Sequence, residues 1–302
     1  MSNAIFVFGK NRSGTKWLSN LIANHSEVVC LQLASSSGIL ETNLFRNFSD
    51  VFGNLSHKEN RLAFLACYTR TNAFKLSGLS EQDLYNRRFD SYFDFFDHVM
   101  NVVACRAGKA YWLQKGVSLE LPQVIRHYPE AKFVIIRRGN AKANIVSNLV
   151  LFTRDGPAEV RARKPSNSDV VQQTFSYYLH KKLEEKYARL PNVKTVFFED
   201  LKTRKREVLE EVCRFTGLTF EEGMLGEHFD QNSSFSRGAK RDAVISDAQG
   251  RLIDALCPVL DALPLLALLS IFNAREAVAR HRPSRKRFTR GTFRLYHEEV
   301  GW

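Results

Sequence analysis

Short apolar runs that end at glycine or a polar loop alternate along the chain with longer segments of helical periodicity. Residues 4–8 form an uninterrupted apolar run ending at Gly9, which predicts a strand buried on both faces of a parallel sheet. A helix is predicted next by the apolar positions Trp17, Leu18, Leu21 and Ile22. The first predicted unit is therefore strand, loop and helix.

Two further units of this kind follow. They are a strand at 132–136 with a helix at 141–152, and a strand at 193–198 with a helix from about Thr203 that ends at Gly217. A long helix is predicted at 171–190, and the polar residues 153–169 predict a mobile surface loop. Alternating strands and helices predict an α/β fold with a doubly wound parallel sheet flanked by helices.

Composition narrows the class of protein. The chain has 302 residues, 44% of them hydrophobic and 25% charged, which excludes disorder, collagen and coiled coil as overall classes. Its five cysteines include no CxxC pair, so neither a disulfide scaffold nor a cysteine zinc site is expected. We expect the protein to work in a reducing compartment. The apolar run at 263–272 is too short for a membrane span. We expect one domain over residues 1–302, with a cytoplasmic location.

The net charge of +12 is concentrated near the C-terminus. Residues 275–294 hold eight Arg and Lys residues and one acid, Glu276. They begin a basic tail that spans about residues 275–302. Such a tail binds nucleic acid, anionic lipid or an acidic substrate, but it is more often a solvated arm. The charge by itself does not decide the function.

The loop after the first strand carries the chemistry. Residues 9–16 read Gly-Lys-Asn-Arg-Ser-Gly-Thr-Lys, with the glycine spacing of a P-loop that cradles phosphate with backbone N–H groups. A nucleotide triphosphatase needs Gly-Lys-Ser/Thr at the end of the loop, whereas Gly14 is followed here by Thr15 and only then by Lys16. The loop therefore predicts anion binding and argues against a P-loop kinase or triphosphatase.

Three segments in order resemble the PAPS-dependent sulfotransferases. The loop with Trp17 and Leu18 resembles the family's 5′-phosphosulfate loop. Residues 129–140 with Ser147 look like its 3′-phosphate segment. Residues 196–201, followed by a helix and residues 215–218, resemble its Tyr-Glu-Asp-Leu stretch. The resemblance covers about residues 4–218 and implies a P-loop-type sulfotransferase fold in the bacterial and carbohydrate-sulfotransferase-like branch.

The resemblance implies 3′-phosphoadenosine 5′-phosphosulfate (PAPS) as sulfuryl donor, PAP as product and no metal. The 5′ end would be held by Lys10, Asn11, Arg12, Ser13, Gly14, Thr15, Lys16 and Trp17. Arg137 and Ser147 would hold the 3′-phosphate, and Arg237 would add a second cation there. Because Ser147 follows Arg137 by ten residues where the family has eight, either the helix starts later or Asn144 does part of the work.

The resemblance also suggests the groups that act on the acceptor. Glu41 would be the general base, with His25, His57 and His98 as alternatives, since other branches use histidine. Arg12 and Lys16 would stabilise charge on the departing phosphate, and Lys115 would touch the sulfuryl or bridging oxygen.

The acceptor is expected to be a small molecule or a glycan that carries a hydroxyl or an amine. Residues 42–100 hold nine Phe and three Tyr, which either line an acceptor pocket or pack as helical core. The enzymatic alternative is a P-loop kinase, and the non-enzymatic one is a basic anion- or nucleic-acid-binding protein that uses the tail. Nucleic acid is not expected as a partner.

Overall fold

A five-stranded parallel sheet forms the centre of the molecule. The computed structural model describes residues 3–33, 38–40, 48–154, 164–226 and 245–280. The sheet has the order β2-β5-β1-β6-β7, formed by Asn3–Gly9 (β1), Val28–Val29 (β2), Tyr111–Val117 (β5), Lys132–Arg137 (β6) and Val193–Phe197 (β7). A separate antiparallel pair joins Gln32–Leu33 (β3) to Gly38–Ile39 (β4). The predicted α/β class with a parallel sheet is confirmed.

The apolar run of β1 explains its central position. Phe6 and Phe8 face one side of the sheet, and Ile5 and Val7 face the other, all within 1% of complete burial. A strand buried on both faces needs apolar residues at every position, as the sequence has. Its neighbours are β5, with Val7 opposite Lys115, and β6.

Helices cover both faces of the sheet. In chain order they are Thr15–Ala23 (α1), Ser49–Phe52 (α2), Lys58–Tyr68 (α3), Asn72–Ser77 (α4), Glu81–Tyr85 (α5), Tyr92–Ala107 (α6), Leu121–His127 (α7), Ala141–Arg154 (α8), Asn167–Tyr187 (α9), Phe198–Thr203 (α10), Lys205–Thr216 (α11), Asp247–Ala262 (α12) and Leu265–Arg280 (α13). The segments Ser118–Glu120 and Glu222–Leu225 are short 3-10 turns. Helices α2 to α7 pack on the Phe6 side, and α1 and α11 on the Ile5 side.

The aromatic residues between 48 and 100 are mainly core. Phe64 is fully buried and meets Phe95 edge to face, with ring centroids 4.8 Å apart. Tyr68 packs on the same ring of Phe95 at 4.6 Å. This network of edge-to-face pairs stabilises the helical layer. Of the two interpretations of this segment, helical core packing describes these residues.

Several predicted boundaries differ from the structure. Helix α9 begins at Asn167 because Ser166 and Asp169 form a reciprocal capping box, four residues before the predicted start. The predicted loop at 153–169 is correspondingly shorter, since 153–154 belong to α8 and 155–163 lie outside the described residues. The helix predicted from about Thr203 begins at Lys205, and a separate short helix, α10, precedes it with Arg204 between the two.

The structure also describes the five cysteines and the most apolar helices. All five cysteines lie in the described part of the chain, and none forms a disulfide. No single helix within the described residues is long and apolar enough to cross a membrane. Helix α12 and residues 265–275 of α13 pass that length and composition test only as a pair, which is bent by 116°.

Candidate anion-binding site at the carboxyl edge of the sheet

The loop between β1 and α1 has the shape of an anion cradle. Arg12 adopts a left-handed backbone with φ of 67°, the only described non-glycine residue with positive φ. Gly14 follows with φ of 100° and precedes the first turn of α1. The N–H of Ser13 donates to the carbonyl of Lys10 at 3.1 Å and closes the turn. Left-handed backbone ahead of a helix N-terminus turns successive N–H groups toward one point, which suits an anion.

Both loop glycines are enclosed by neighbouring elements. A Cβ on Gly9 would lie 2.5 Å from the carbonyl oxygen of Ile136 on β6. A Cβ on Gly14 would lie 2.7 Å from Cδ2 of Phe198, the first residue of α10. The glycines therefore let the loop approach two adjacent strand ends closely.

We expect Gly14→Ala to lower the free energy of unfolding by about 3 kcal/mol, from left-handed strain plus displacement of Phe198. The matched control is Gly108→Ala, because Gly108 also has positive φ but its Cβ would meet nothing within 4 Å. That control should lose only about 1 kcal/mol in chemical denaturation. Equal losses in the two variants would show that the contact with Phe198 is unimportant.

Helix α8 holds the loop from the side through two asparagines one turn apart. Asn144 Nδ2 donates to Ser13 Oγ at 3.2 Å and to the carbonyl of Asn11 at 3.3 Å. Asn148 Nδ2 donates to the same carbonyl at 3.1 Å and to Asn144 Oδ1 at 3.0 Å. The sequence analysis missed Asn148, although the i, i+4 spacing of two asparagines on a predicted helix was the available signal.

The arginine that reaches Ser147 is Arg138. Its NH1 donates to Ser147 Oγ at 3.2 Å, and its guanidinium lies 4.9 Å from the centroid of the Phe198 ring. The side chain is 6% exposed, and the backbone carbonyl accepts a bond from Tyr177 Oη at 3.0 Å. A cation and a hydroxyl thus lie together beside the loop.

Arg137, which the sequence assigns to the 3′-phosphate together with Ser147, makes different contacts. Its Nε donates to Glu184 Oε2 at 3.0 Å, and its NH1 lies 3.5 Å from Glu185 Oε1. Arg137 is the last residue of β6, and Arg138 is the first residue of the loop that follows. In the structure Arg138, and not Arg137, is the arginine hydrogen-bonded to Ser147.

Glu184 is a buried carboxylate at this edge of the sheet. It accepts bonds from Arg137 and, at 2.6 Å, from Ser118 Oγ just after β5. Burial raises its pKa, against the opposing effects of Arg137 and Ser118. Lys10 of the loop is nearby and 5% exposed, and burial lowers its pKa to about 8 despite the attraction of Glu184. Lys10 of the loop therefore lies beside a charged network, formed around Glu184, that links β5, β6 and α9.

Glu199 shapes the second loop. Its carboxylate accepts from the N–H groups of Gly139 at 3.0 Å and Asn140 at 3.4 Å. Asn140 Oδ1 in turn accepts from the N–H of Ala143 at 2.9 Å and caps the start of α8. The Glu-Asp-Leu segment thus fixes the loop that carries Arg138.

An aromatic pair flanks the start of α1. Trp17 and Phe198 meet edge to face at 5.7 Å, and Lys205 Nζ lies 5.6 Å from the centroid of the Trp17 ring. Lys16 is partly exposed beside them on α1. These residues add flat apolar surface and positive charge to the same edge.

The acceptor-side residues are only partly described. Lys115 lies buried near the end of β5, and the neighbouring Gln114 donates from Nε2 to the carbonyl of Leu40 at 2.8 Å. Leu40 is the residue immediately before Glu41. Glu41 and Arg237 themselves lie outside the described residues.

The three histidine alternatives lie on other elements. His25 follows α1 and bonds to the carbonyl of Thr219 at 2.7 Å, beside the start of β5 rather than its end. His57 is exposed at the start of α3, and His98 on α6 lies 3.2 Å from Arg87. Among the described residues, no group of three or more His, Cys, Asp or Glu side chains could hold a metal ion.

The sequence and the fold both have matches among known proteins. A model described as the sulfotransferase family matches residues 4–222. No curated protein matches the sequence. The sulfotransferase domain of the Synechococcus PCC 7002 olefin synthase is 19% identical, with a TM-score of 0.52, and covers 84% of this chain and 94% of that chain.

Two further solved structures match over most of this chain. The sulfotransferase STF1 from Mycobacterium tuberculosis H37Rv is 15% identical, with a TM-score of 0.50 over 87% of this chain and 77% of that chain. Mouse SULT7A1, solved in complex with PAP, is 15% identical, with a TM-score of 0.47 over 84% and 82% of the two chains.

Proposed function

Because the chain belongs to the sulfotransferase family, we propose that it transfers a sulfuryl group from PAPS to a hydroxyl or amine acceptor. The observation that carries this proposal is a pair of positions on one edge of the sheet whose geometry and charge suit an anion. One is the left-handed loop around Arg12, and the other is the Arg138–Ser147 pair. PAPS has phosphate at both its 5′ and 3′ ends, so it needs two such positions, whereas ATP has all its phosphates at one end.

The 5′ end of the donor is assigned to the loop from Lys10 to Trp17. Asn144 holds Ser13 from behind, and the φ of Gly14 opens the helix start toward the ligand. Trp17 offers its indole face to the nucleotide beside Phe198. Asn148 supports this loop from α8 through its bond to the carbonyl of Asn11.

The 3′-phosphate is assigned to Arg138 and Ser147. A guanidinium binds phosphate through charge-assisted hydrogen bonds, and a neighbouring hydroxyl supplies another donor. Ser147 Oγ donates to the carbonyl of Ala143 at 2.7 Å in this structure, so it would turn toward the phosphate on binding. Arg137 then serves the site by neutralising Glu184.

The reaction itself is an in-line displacement at sulfur. The acceptor oxygen or nitrogen forms a bond to sulfur while the bond from sulfur to the bridging phosphate oxygen breaks, and PAP leaves. Arg12 and Lys16 stabilise the negative charge that develops on the leaving phosphate, and Lys115 contacts the transferred group. Glu41 takes the acceptor proton, supported by its position one residue after Leu40, which Gln114 fixes to β5.

The experiment that tests the proposal follows PAP release from PAPS with a panel of phenols, alcohols, amines and glycans. We expect acceptor-dependent PAP release, and a fall in kcat of about a hundredfold or more in Glu41→Gln. The matched control His25→Gln should retain activity. Transfer at the wild-type rate in Glu41→Gln, with loss in a histidine variant, would remove Glu41 as the base.

Lys10 gives the donor site a pH dependence. Its pKa of about 8 in the empty protein means that the ammonium loses its proton as the pH rises through 8. Bound phosphate favours the charged form and raises this pKa, so binding takes up a proton. We expect the affinity for PAP to fall about tenfold between pH 8 and pH 9.5, measured by calorimetry. Lys10→Met should bind more weakly, with no change over that interval.

A further inference from the structure

We infer that the ring of Phe198 is a positioning group that sets the spacing between the two phosphate positions of the donor site. This role rests on the proposed function, because it concerns how the 5′ and 3′ positions act together. It adds to that function a selective role for an apolar side chain, which lets the site favour nucleotides with two separate phosphates over nucleotides with one.

The ring lies against the loop of the 5′ position. Gly14 has no side chain, and a Cβ there would lie 2.7 Å from Cδ2 and 3.3 Å from Cε2 of Phe198. Phe198 also meets Trp17, the third residue of α1, edge to face at 5.7 Å. Because protein interiors are close-packed, the loop cannot move toward α10 without displacing this ring.

The same ring contacts the cation of the 3′ position. The guanidinium of Arg138 lies 4.9 Å from the centroid of Phe198, within the range of a cation–π interaction. Arg138 is buried, and a cation–π interaction is stronger where water is excluded. The ring therefore restrains the position of this guanidinium relative to the loop.

The backbone holds Phe198 at the junction of the two positions. Phe197, the last residue of β7, pairs with Arg137 on β6, so Phe198 follows next to the loop after β6. Glu199 accepts from two N–H groups of that loop, and Leu201 on the same helix is fully buried. A ring on a backbone fixed in this way keeps its two neighbours at one distance, which is what a preorganised site requires.

A fixed spacing matters only to a ligand that occupies both positions. A nucleotide with one phosphate can follow the position that it uses when that position moves, because nothing ties it to the other. PAP carries both phosphates on one nucleoside, so a change in spacing removes the advantage of binding at both ends at once. Phe198 should therefore contribute to the affinity for PAP and little to the affinity for either monophosphate.

The test is calorimetric titration of PAP, adenosine 5′-phosphate and adenosine 3′-phosphate into wild type and Phe198→Leu. We expect the Kd for PAP to rise about 30-fold and the Kd for each monophosphate to rise about threefold or less. Phe198→Tyr keeps the ring and should bind all three nucleotides as wild type does. The matched control Phe197→Leu changes the preceding phenylalanine, which is 41% exposed, and should also bind as wild type.

The three nucleotides distinguish a spacing role from simpler ones. A ring that only contacts the adenosine would weaken all three by the same factor, and a ring that only holds Arg138 would weaken adenosine 3′-phosphate as much as PAP. Either result, or wild-type affinity for PAP in Phe198→Leu, overturns the inference.

A second variant makes the comparison independent of the stability of the first. Phe198→Met fills a similar volume with a flexible chain and should reproduce the selective loss of PAP affinity. Absence of PAP binding in the wild type is a separate result, which would contradict the proposed function itself.

Discussion

Arg138→Ala should raise the Kd for PAP about 100-fold while changing the Kd for adenosine 5′-phosphate little. The two nucleotides differ only in the 3′-phosphate, so the ratio of their Kd values measures the contribution of that phosphate. A buried charge-assisted hydrogen bond to phosphate contributes about 1.5–3 kcal/mol, and 100-fold corresponds to about 2.7 kcal/mol. Calorimetric titration of both nucleotides measures the ratio.

Arg137→Ala is the matched control, because Arg137 precedes Arg138 directly as the last residue of β6. It removes the partner of Glu184, which is 2% exposed, and should lower the free energy of unfolding by about 3 kcal/mol. The preference for PAP over adenosine 5′-phosphate should survive. A preference lost in Arg137→Ala and kept in Arg138→Ala would return the 3′-phosphate to Arg137.

The second large effect is expected at Arg12. Arg12→Ala should lower kcat about 1,000-fold, because a positioned cation that stabilises charge on the leaving group acts mainly in the transition state. The measurement is acceptor-dependent PAP release at saturating PAPS. The KM for PAPS should change less than kcat.

Arg12→Gly separates charge from conformation. The left-handed φ of 67° is strained for arginine or alanine and free for glycine. Arg12→Gly should therefore unfold at a higher temperature than Arg12→Ala and be equally inactive. Activity in Arg12→Gly near the wild-type level would mean that the loop's shape, and not the guanidinium, supports catalysis.

The elements nearest the loop were predictable from sequence for a physical reason. A strand buried on both faces must be apolar throughout, and Gly9 and Gly14 mark positions where a Cβ collides with neighbouring elements. The strand-loop-helix unit and its glycine spacing can therefore be recognised in the sequence alone. The same holds for β6 and for the glycine that ends α11.

The contacts between elements were not predictable in the same way. The choice between Arg137 and Arg138 depends on which face of β6 meets α8 and which meets α9, and spacing along the chain does not contain that information. The role of Glu199 required knowing that α10 lies beside the loop after β6. Glu184 carries no motif, and its importance comes from burial next to Lys10.

The aromatic segment shows that composition alone does not distinguish a buried core from a binding pocket. Nine Phe and three Tyr between residues 42 and 100 suit a pocket or a core equally well by composition. Only the edge-to-face contacts of Phe64, Tyr68 and Phe95 identify core packing.

The central claim is that one edge of the sheet binds a nucleotide with phosphates at both the 5′ and 3′ ends. The most direct measurement is a thermal shift with PAP beside ATP plus magnesium, on wild type and on Arg138→Ala. At about 100 times its Kd, PAP should add about 2.7 kcal/mol to the stability of the wild type. We expect the wild type to shift with PAP and not with ATP and magnesium, and the shift with PAP to be nearly lost in Arg138→Ala. A shift with ATP and magnesium but none with PAP would contradict the central claim.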